Sequence, residues 1–538
     1  METNDNVVER NIDPSRFEFV NDQERLHDAK FETKPIGYFK DAMIRFRKNK
    51  GSVIGGVIIL LLVIYALLVP LFSSNVAKNI SEKYYAKMGP RLTWAYNIGV
   101  NGSQNKDYNE NLLLNYVAMG WGAEYRYDET TGQETFPDLK QAKKSYYQPL
   151  IKTTGHVVKS QGGLDKDVYY ANVDEYLAVG FINMQMSVEE YNKILNWQKA
   201  KNIQILYPLI DTSHPDYLGV EESNKIAGNY WYRVSKQRTS KGAPLDESGN
   251  IMKYGDENLH FIDIFLRNVD GKPVFYKLVG SGDETTASRM VRVLYYNYYR
   301  FLYNTEPNYV FGTDSNGFDL SYRMATGMRI SFILSVFVSV INFVIGAIYG
   351  AIEGYYGGTT DLVMERISDI LADIPFVVVA TLFNLHLAKK VGPFVSLLFA
   401  FVMTGWIGTA SRVRSQFYRF KNSEYVLAAR TLGARDARIM WKHVFPNTLG
   451  TIITSSVLVI PSVIFSESML SYLNIISLGT RTTTSLGTLL SEASGLWTQS
   501  PHLMIFPAIV ISLLMICFNL FGNGLRDAFN PTLRGADE

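Results

Sequence analysis

Six stretches of this chain are apolar for about the twenty residues that a helix needs to cross a bilayer. No other feature constrains the fold as strongly, because a backbone in hydrocarbon must satisfy its own hydrogen bonds. The stretches fall at 52–72, 328–352, 366–388, 391–410, 446–465 and 503–525. The first, SVIGGVIILLLVIYALLVPLF, is the clearest, and the third is polar at its start. The mean hydropathy of the chain is near zero only because a polar, tyrosine-rich block between the first two stretches dilutes them.

Lysine and arginine bias sets the orientation. Lys40, Arg45, Arg47, Lys48 and Lys50 crowd the entry to the first stretch, and Arg412, Arg414, Arg419, Lys421, Arg430, Arg435, Arg438 and Lys442 follow the fourth. Six crossings place both groups, with Arg526 and Arg534, on the cytoplasmic side and the tyrosine-rich block outside. Lys389 and Lys390 violate the rule and are outvoted. Ile36, Phe39, Met43 and Phe46 recur at helical spacing before the first stretch, the pattern of a short interfacial helix with its apolar face down. No cleavable signal peptide is evident, so the first stretch is expected to remain as an anchor.

The block between the first two stretches reads as mixed α+β. Ser187 with Glu190 forms a capping box ahead of a helix to about residue 200, and IQILYPLI (203–210) reads as a buried strand. Asp270-Gly271 is a two-residue hairpin signal, and 284–302 reads as helical. The single cysteine, Cys517, excludes a disulfide framework within the chain. A formal net charge of +2 gives no reason to expect a nucleic-acid partner. The tyrosines admit two readings, an amphipathic contact surface or the core of the block itself.

Residues 424–447, EYVLAARTLGARDARIMWKHVFPN, form a basic amphipathic interruption between two apolar stretches. Ala428 and Ala429 allow close approach by another surface, Gly433 suits a helix stop, and Pro446 reads as opening the fifth span. This pattern resembles the EAA-type coupling loop of ABC importer permeases. The resemblance extends to FGTDSNGFDLSYRMATGMRIS (311–331), EGYYGGTTD (353–361), RISDILADIPF (366–376), SESMLSYLNI (466–475), SLGTLLSEA (485–493) and FNLFGNGLRDAFNP (518–531). Phe318 stands where the family usually has arginine, and Asn523 and Asn530 where aspartate is common. These segments resemble the C-type transmembrane subunit of oligopeptide and dipeptide ABC importers.

The resemblance implies an α-helical polytopic membrane protein with six transmembrane helices in the type I ABC importer permease fold. The departure is a large inserted α+β extracytoplasmic domain between helices 1 and 2. The expected organisation is a cytoplasmic tail and interfacial helix (1–51), the first transmembrane helix (52–72), the inserted domain (73–315), a permease core with the coupling segment (316–530) and a cytoplasmic tail (531–538). The inserted domain is expected to cap the outer mouth or dock a delivery protein. The implied partners are a second homologous permease subunit, two ABC ATPases that carry ATP-Mg, an extracytoplasmic peptide-binding lipoprotein and membrane lipid. The implied location is the cell membrane of a bacterium, and ATP hydrolysis belongs to the partners rather than to this chain.

By resemblance Glu424, Ala428, Ala429, Arg430, Gly433, Arg435 and Pro446 couple to the ATPase. Arg366, Asp369, Asp373, Pro375 and Glu467 are candidate pathway or helix-packing residues. Arg366 and Asp369, three apart, read as a local ion pair, and Asp373 as a candidate pathway residue. Pro461 and Pro507 are further candidate bends.

There is no H-E-x-x-H, G-x-S-x-G or phosphate-loop pattern. Asp211, His214 and Asp216 are a weak candidate metal set. A nickel or small-solute permease of the same family, a secondary transporter and a membrane-anchored receptor are the alternatives; neither of the last two explains 424–447.

Overall fold

The computed structural model describes residues 38–529, apart from 75–76, 78–79, 109, 129–130, 136–144, 162–163, 215–231, 235–258, 262–263 and 480–483. Residues 1–37 and 530–538, with Ile36, Asn530 and Pro531, lie outside the described residues. Helix α1 (Tyr38–Lys48) is followed at once by α2 (Lys50–Phe72), because Asn49 caps the second helix through the Ser52 N–H. Phe46 packs edge-on against Phe521 at 5.3 Å and Ala42 is buried, whereas Met43 and Ile44 are exposed.

The chain then builds an α+β unit. Strand β1 (Ser103–Tyr108) leads to α3 (Glu110–Gly122) and the hairpin β2 (Arg126–Asp128) and β3 (Gln133–Thr135). The long hairpin β4 (Leu150–Gln161) and β5 (Leu164–Asp174) joins β1 in an antiparallel sheet ordered β1-β5-β4. After α4 (Glu175–Ala178) come β6 (Phe181–Met186), α5 (Val188–Lys201), β7 (Leu206–Tyr207), β8 (Tyr232–Val234), β9 (Leu259–Phe261), β10 (Tyr276–Val279), β11 (Ser288–Leu294) and α6 (Tyr295–Tyr303). The second sheet runs β10-β11-β6, with β7 also on β11.

Three local expectations meet this structure differently. Ser187 accepts the Glu190 N–H at 3.1 Å and starts α5 as the capping pattern requires. Asp270-Gly271 does turn the chain, but as a three-residue loop closed by Asn268 and Lys272, with Gly271 at φ +76°. The helix read at 284–302 is wrong in its first half. Residues 288–294 form β11, whose Val291 and Val293 are fully buried between neighbouring strands, and helix begins only at Tyr295. In 203–210 only Leu206 and Tyr207 join a strand; Pro208, lacking an N–H, ends the ladder.

Tyrosines fill this unit. Tyr85, Tyr176, Tyr191, Tyr295, Tyr298, Tyr299 and Tyr309 share one core with Ile194, Ile205 and Val291. At its centre Arg91 donates to both oxygens of Asp174 at 2.9 and 2.8 Å, with the rings of Tyr96, Tyr176 and Tyr296 around the guanidinium. Burial pushes the Asp174 carboxyl up, against the pull of Arg91. The entering and leaving strands are zipped together: Arg91 and Tyr309 exchange backbone hydrogen bonds at 2.9 Å, and Glu82 takes the hydroxyls of Tyr295 and Tyr303.

The remaining helices are α7 (Leu320–Tyr356), α8 (Gly358–Ala372), α9 (Phe376–His386), α10 (Ala388–Val391), α11 (Pro393–Phe420), α12 (Glu424–Thr431), α13 (Asp436–Tyr472), α14 (Leu486–Ala493) and α15 (His502–Phe529). Among the described residues α2, α7, α11, α13 and α15 are each long and apolar enough to cross a membrane, and the α8–α9 pair brings the number to as many as six. The third span is not one straight helix. It bends by 73° between α8 and α9, where Pro375 caps α9 and has no N–H to continue α8. Pro446 does not open the fifth span either. Helix α13 begins at Asp436, passes through a π-helical stretch at Ile439–Val444 and carries Pro446 inside it. The widened turn accommodates a ring that would press on the carbonyl one turn earlier in a regular helix.

Helix α7 lies against α11 along Gly346, Gly350 and Gly354. A Cβ at these positions would come within 2.8, 2.2 and 2.7 Å of the carbonyl oxygens of Trp406, Ala410 and Arg414. Small residues four apart are what let two membrane helices approach to backbone contact. We therefore expect Gly350→Ala to lower stability by about 1–3 kcal/mol through overpacking, read as a lower melting temperature of the purified protein. Gly408→Ala on α11, where a Cβ meets nothing within 4 Å, should melt as the parent does.

Candidate ATPase-coupling surface

Residues 424–435 form a knob at one end of the helical bundle. Ser423 precedes α12, Val426 turns inward onto Tyr355, Val413, Phe417, Ile439, Met440 and Val444, and Ala429 is buried as well. The opposite face presents Glu424, Tyr425, Leu427, Ala428 and Arg430. The helix ends in a Schellman motif: Ala434 N–H reaches the Ala429 carbonyl at 3.1 Å and Gly433 N–H the Arg430 carbonyl at 3.0 Å. That closure holds Gly433 at φ +82° and throws Leu432 outward, 88% exposed. Of the two alanines, then, Ala429 packs inward while Ala428 faces out. Arg435 and Pro446 are exposed too.

Tyr355, at the end of α7, ties the knob to the bundle. Its hydroxyl donates to Asp436 at 2.7 Å and receives Arg430 at 3.4 Å. Beside it Arg414 of α11 is clasped by two carboxylates of α8. It bonds Asp361 at 2.6 and 2.9 Å and Glu365 at 2.8 and 3.0 Å, with Glu353 of α7 at 3.7 Å. Bidentate arginine pairs of this kind fix geometry as well as charge. Sequence reasoning placed Arg414 only among the cytoplasmic basic residues. The i, i+4 spacing of Asp361 and Glu365 was the available signal for its partners.

The other candidates lie apart from the knob. Arg366 does bond Asp369, at 3.1 Å, on an exposed surface of α8. Asp373 is exposed at the bend, next to Pro375. Glu467 is fully buried in α13, where Ser331 and Ser471 donate to it at 2.8 and 3.0 Å, so it joins α7 to α13. Asp211 accepts the Ser213 N–H at 2.9 Å, and Asp216 lies outside the described residues; no metal-ligating cluster occurs among those described. Ser103 and Lys106 stand at an S-x-x-K spacing on β1, but the lysine is bonded to Glu175 at 2.5 Å.

A second charge cluster lies at the far end of α7. Arg323, nearly buried, meets Asp314 and also Glu492 of α14 at 3.1 Å. Phe318, the departure from the family arginine, is buried beside it, its N–H on Asp314 at 2.9 Å. Burial pushes the nearby Asp319 carboxyl up to about 6 while it caps α7.

Residues 343–535 match the family described as binding-protein-dependent transport system inner membrane component, and residues 37–90 the N-terminal TM domain of oligopeptide transport permease C. The oligopeptide transport system permease protein OppC of Bacillus subtilis is 42% identical over 225 residues, 42% of this chain and 72% of that protein.

The chain belongs to the binding-protein-dependent transport system inner membrane component family.

The dipeptide transport system permease protein DppC of Lactococcus lactis is 41% identical over 227 residues, 42% of this chain and 64% of that protein. Among solved structures, an inward-facing methionine ABC transporter, MetNI, aligns at a TM-score of 0.33 and 14% identity over 39% of this chain and 97% of that chain. Residues 91–342 fall between the two family matches. The chain is thus a multi-pass inner membrane transport component with additional structure between its matched parts.

Removing the Tyr355 hydroxyl should loosen the knob without unfolding the bundle. A hydrogen bond to a carboxylate contributes about 1.5–3 kcal/mol. Tyr355→Phe is expected to raise amide hydrogen exchange across α12 about ten-fold or more, with exchange in α7 unchanged. Equal protection in both proteins would remove Tyr355 from this role.

Proposed function

We propose that this chain is the permease subunit of an ATP-driven importer through which oligopeptides enter the cell. The supporting observation is the knob at 424–435, a rigidly closed helix stop with Leu427, Ala428, Leu432 and Arg430 presented outward. A cytoplasmic ATPase that pushes such a knob moves α7 and α11 through the Val426 contacts and the Tyr355 bond. The peptide cargo comes from the relatives, whose names specify oligopeptides, dipeptides and glutathione, itself a tripeptide.

In this reading two ATPases bind ATP-Mg, close and draw together the coupling knobs of this chain and of a second, homologous permease. The helices then shift between inward-facing and outward-facing arrangements, a rigid-body rearrangement without covalent chemistry on this chain. Glu424, Arg430 and Arg435 supply polar contacts to the ATPase, and Ala428 the close approach. A binding lipoprotein delivers the peptide on the outer side. Both termini are cytoplasmic, and residues 73–315 form the extracytoplasmic domain, which docks that protein or caps the mouth. Lipid covers the exposed apolar faces of α2 and α7.

Gly433 gives the sharpest test. A β-branched residue at φ +82° is strained by about 1–3 kcal/mol, enough to undo the Schellman closure while leaving the membrane helices in place. Gly433→Val is expected to keep normal membrane levels and co-purify with a second permease and two ATPases more weakly than the parent. Its ATP-dependent peptide uptake should fall by ten-fold or more. Undiminished uptake of labelled peptide would count against the coupling role.

A further inference from the structure

Helix α1 is tied to the membrane surface both at its end and along its flank. Asn49 is the single residue between α1 and α2, and its side chain caps α2 through the Ser52 N–H at 3.2 Å. A link of one residue reaches only about 7 Å, so the end of α1 stays level with the start of the first span. Along the flank, Ala42 is buried and Phe46 packs edge-on against Phe521 of α15 at 5.3 Å. Gly524 keeps this contact close, since a Cβ there would press into the Ser52 side chain and lie 3.3 Å from the Phe46 ring. Ser52 in turn donates to the Leu520 carbonyl at 2.9 Å. A swing of α1 into water would break this packing.

The charges of α1 are divided between its two sides. Asp41, its one acidic residue, is paired with Arg45 at 2.8 Å, and both are partly buried. Lys40, Met43, Ile44 and Arg47 stand at i, i+3, i+4 and i+7 and so share the opposite face, with Lys48 beside them. All five are exposed, Met43 to 52% and Ile44 to 41%. Lys40, Arg47 and the neighbouring Lys50 make no hydrogen bond or ion pair among the described residues. The outward face is therefore basic and apolar at once, and it carries no carboxylate.

We propose that this face is a docking surface for anionic phospholipid, with headgroup phosphates on Lys40 and Arg47 and the acyl boundary against Met43 and Ile44. Water would leave two large apolar side chains uncovered, and hydrocarbon would strand the cations between them. At the headgroup level both demands are met. The apolar tips enter the acyl boundary while the long lysine and arginine stems carry their charges out to the phosphates. A zwitterionic headgroup sets an ammonium group beside each cation, whereas an anionic one offers its phosphate alone, which a guanidinium can take through two N–H groups. The Asp41–Arg45 pair turns aside the one carboxylate that would repel it. The inference rests on α2 and α15 spanning the membrane and is independent of the cargo and of the ATPases.

The test places the purified full chain in nanodiscs of phosphatidylcholine, alone or mixed in equal parts with phosphatidylglycerol of the same acyl chains. Amide hydrogen exchange is read across α1 and, as an internal reference, across α7. Phosphatidylglycerol is expected to slow exchange in α1 at least five-fold, about the effect of one basic group at an anionic surface, with α7 unchanged. The double variant Lys40→Gln, Arg47→Gln should exchange as the parent does in phosphatidylcholine and lose the response to phosphatidylglycerol. A check that needs no variant is salt: about 0.5 M should abolish the response of the parent, because exposed charges are screened. If the variant itself disturbs α1 in phosphatidylcholine, the salt result decides. Exchange in α1 that ignores phosphatidylglycerol, a response that survives salt or the double variant, or equal slowing of α7 overturns the proposal. Weaker recovery of a co-purifying ATPase with the double variant, where the parent shows no lipid response, assigns the face to an acidic protein partner instead. None of these results bears on the importer reading, which peptide uptake tests separately.

Discussion

Backbone contact between α7 and α11 is the interaction on which the membrane part depends. In hydrocarbon there is no hydrophobic drive to bring two helices together, so close packing must supply the association. Gly346, Gly350 and Gly354 provide it by letting the Trp406, Ala410 and Arg414 carbonyls reach the α7 surface. The same contact sets where Arg414 stands, and so where Asp361 and Glu365 of α8 must come to meet it. It also positions Tyr355 over Arg430 and Asp436. The 424–435 knob, the bent third span and the ion-pair cluster are all referenced to this one seam.

Helix α7 gives that seam reach. Its 37 residues span about 55 Å at 1.5 Å per residue. One end carries Arg323, held by Asp314 and Glu492; the other carries Tyr355 beside the knob. A displacement at one end of a rod packed this closely is felt at the other, because cores of native density do not deform smoothly. Glu467, bonded to Ser331 and Ser471, pins the middle of the rod to α13 without an exposed charge in the membrane.

Much of this was legible in the residues. Apolar length located the spans, and the alanines and glycine of 424–433 located the knob. The ends of the spans were not legible, since α7 and α13 extend through polar residues whose partners lie elsewhere in the chain. Arg323 finds Glu492 across 169 positions, and no local pattern announces such a pair. The role of the α7 glycines was not legible either, since the carbonyls they face lie on another helix. Pro446 misled because proline usually starts a helix, and here a π-helical turn absorbs it. Residues 288–294 misled because the strand is buried on both faces and takes Arg289 and Arg292 inside with Val291 and Val293, so no polar–apolar alternation separates it from a helix.

The zipped base of the α+β unit carries a consequence for how such a chain came to exist. Arg91 and Tyr309 pair directly, as do Lys87 and Asp314, and the unit leaves α2 and returns to α7 at nearly the same point. To the membrane helices, the whole of what lies between them is geometrically a short turn. A loop with that closure can grow from a few residues to a full domain without moving a single transmembrane helix. Its size is then free to change while the membrane helices on either side stay as they were.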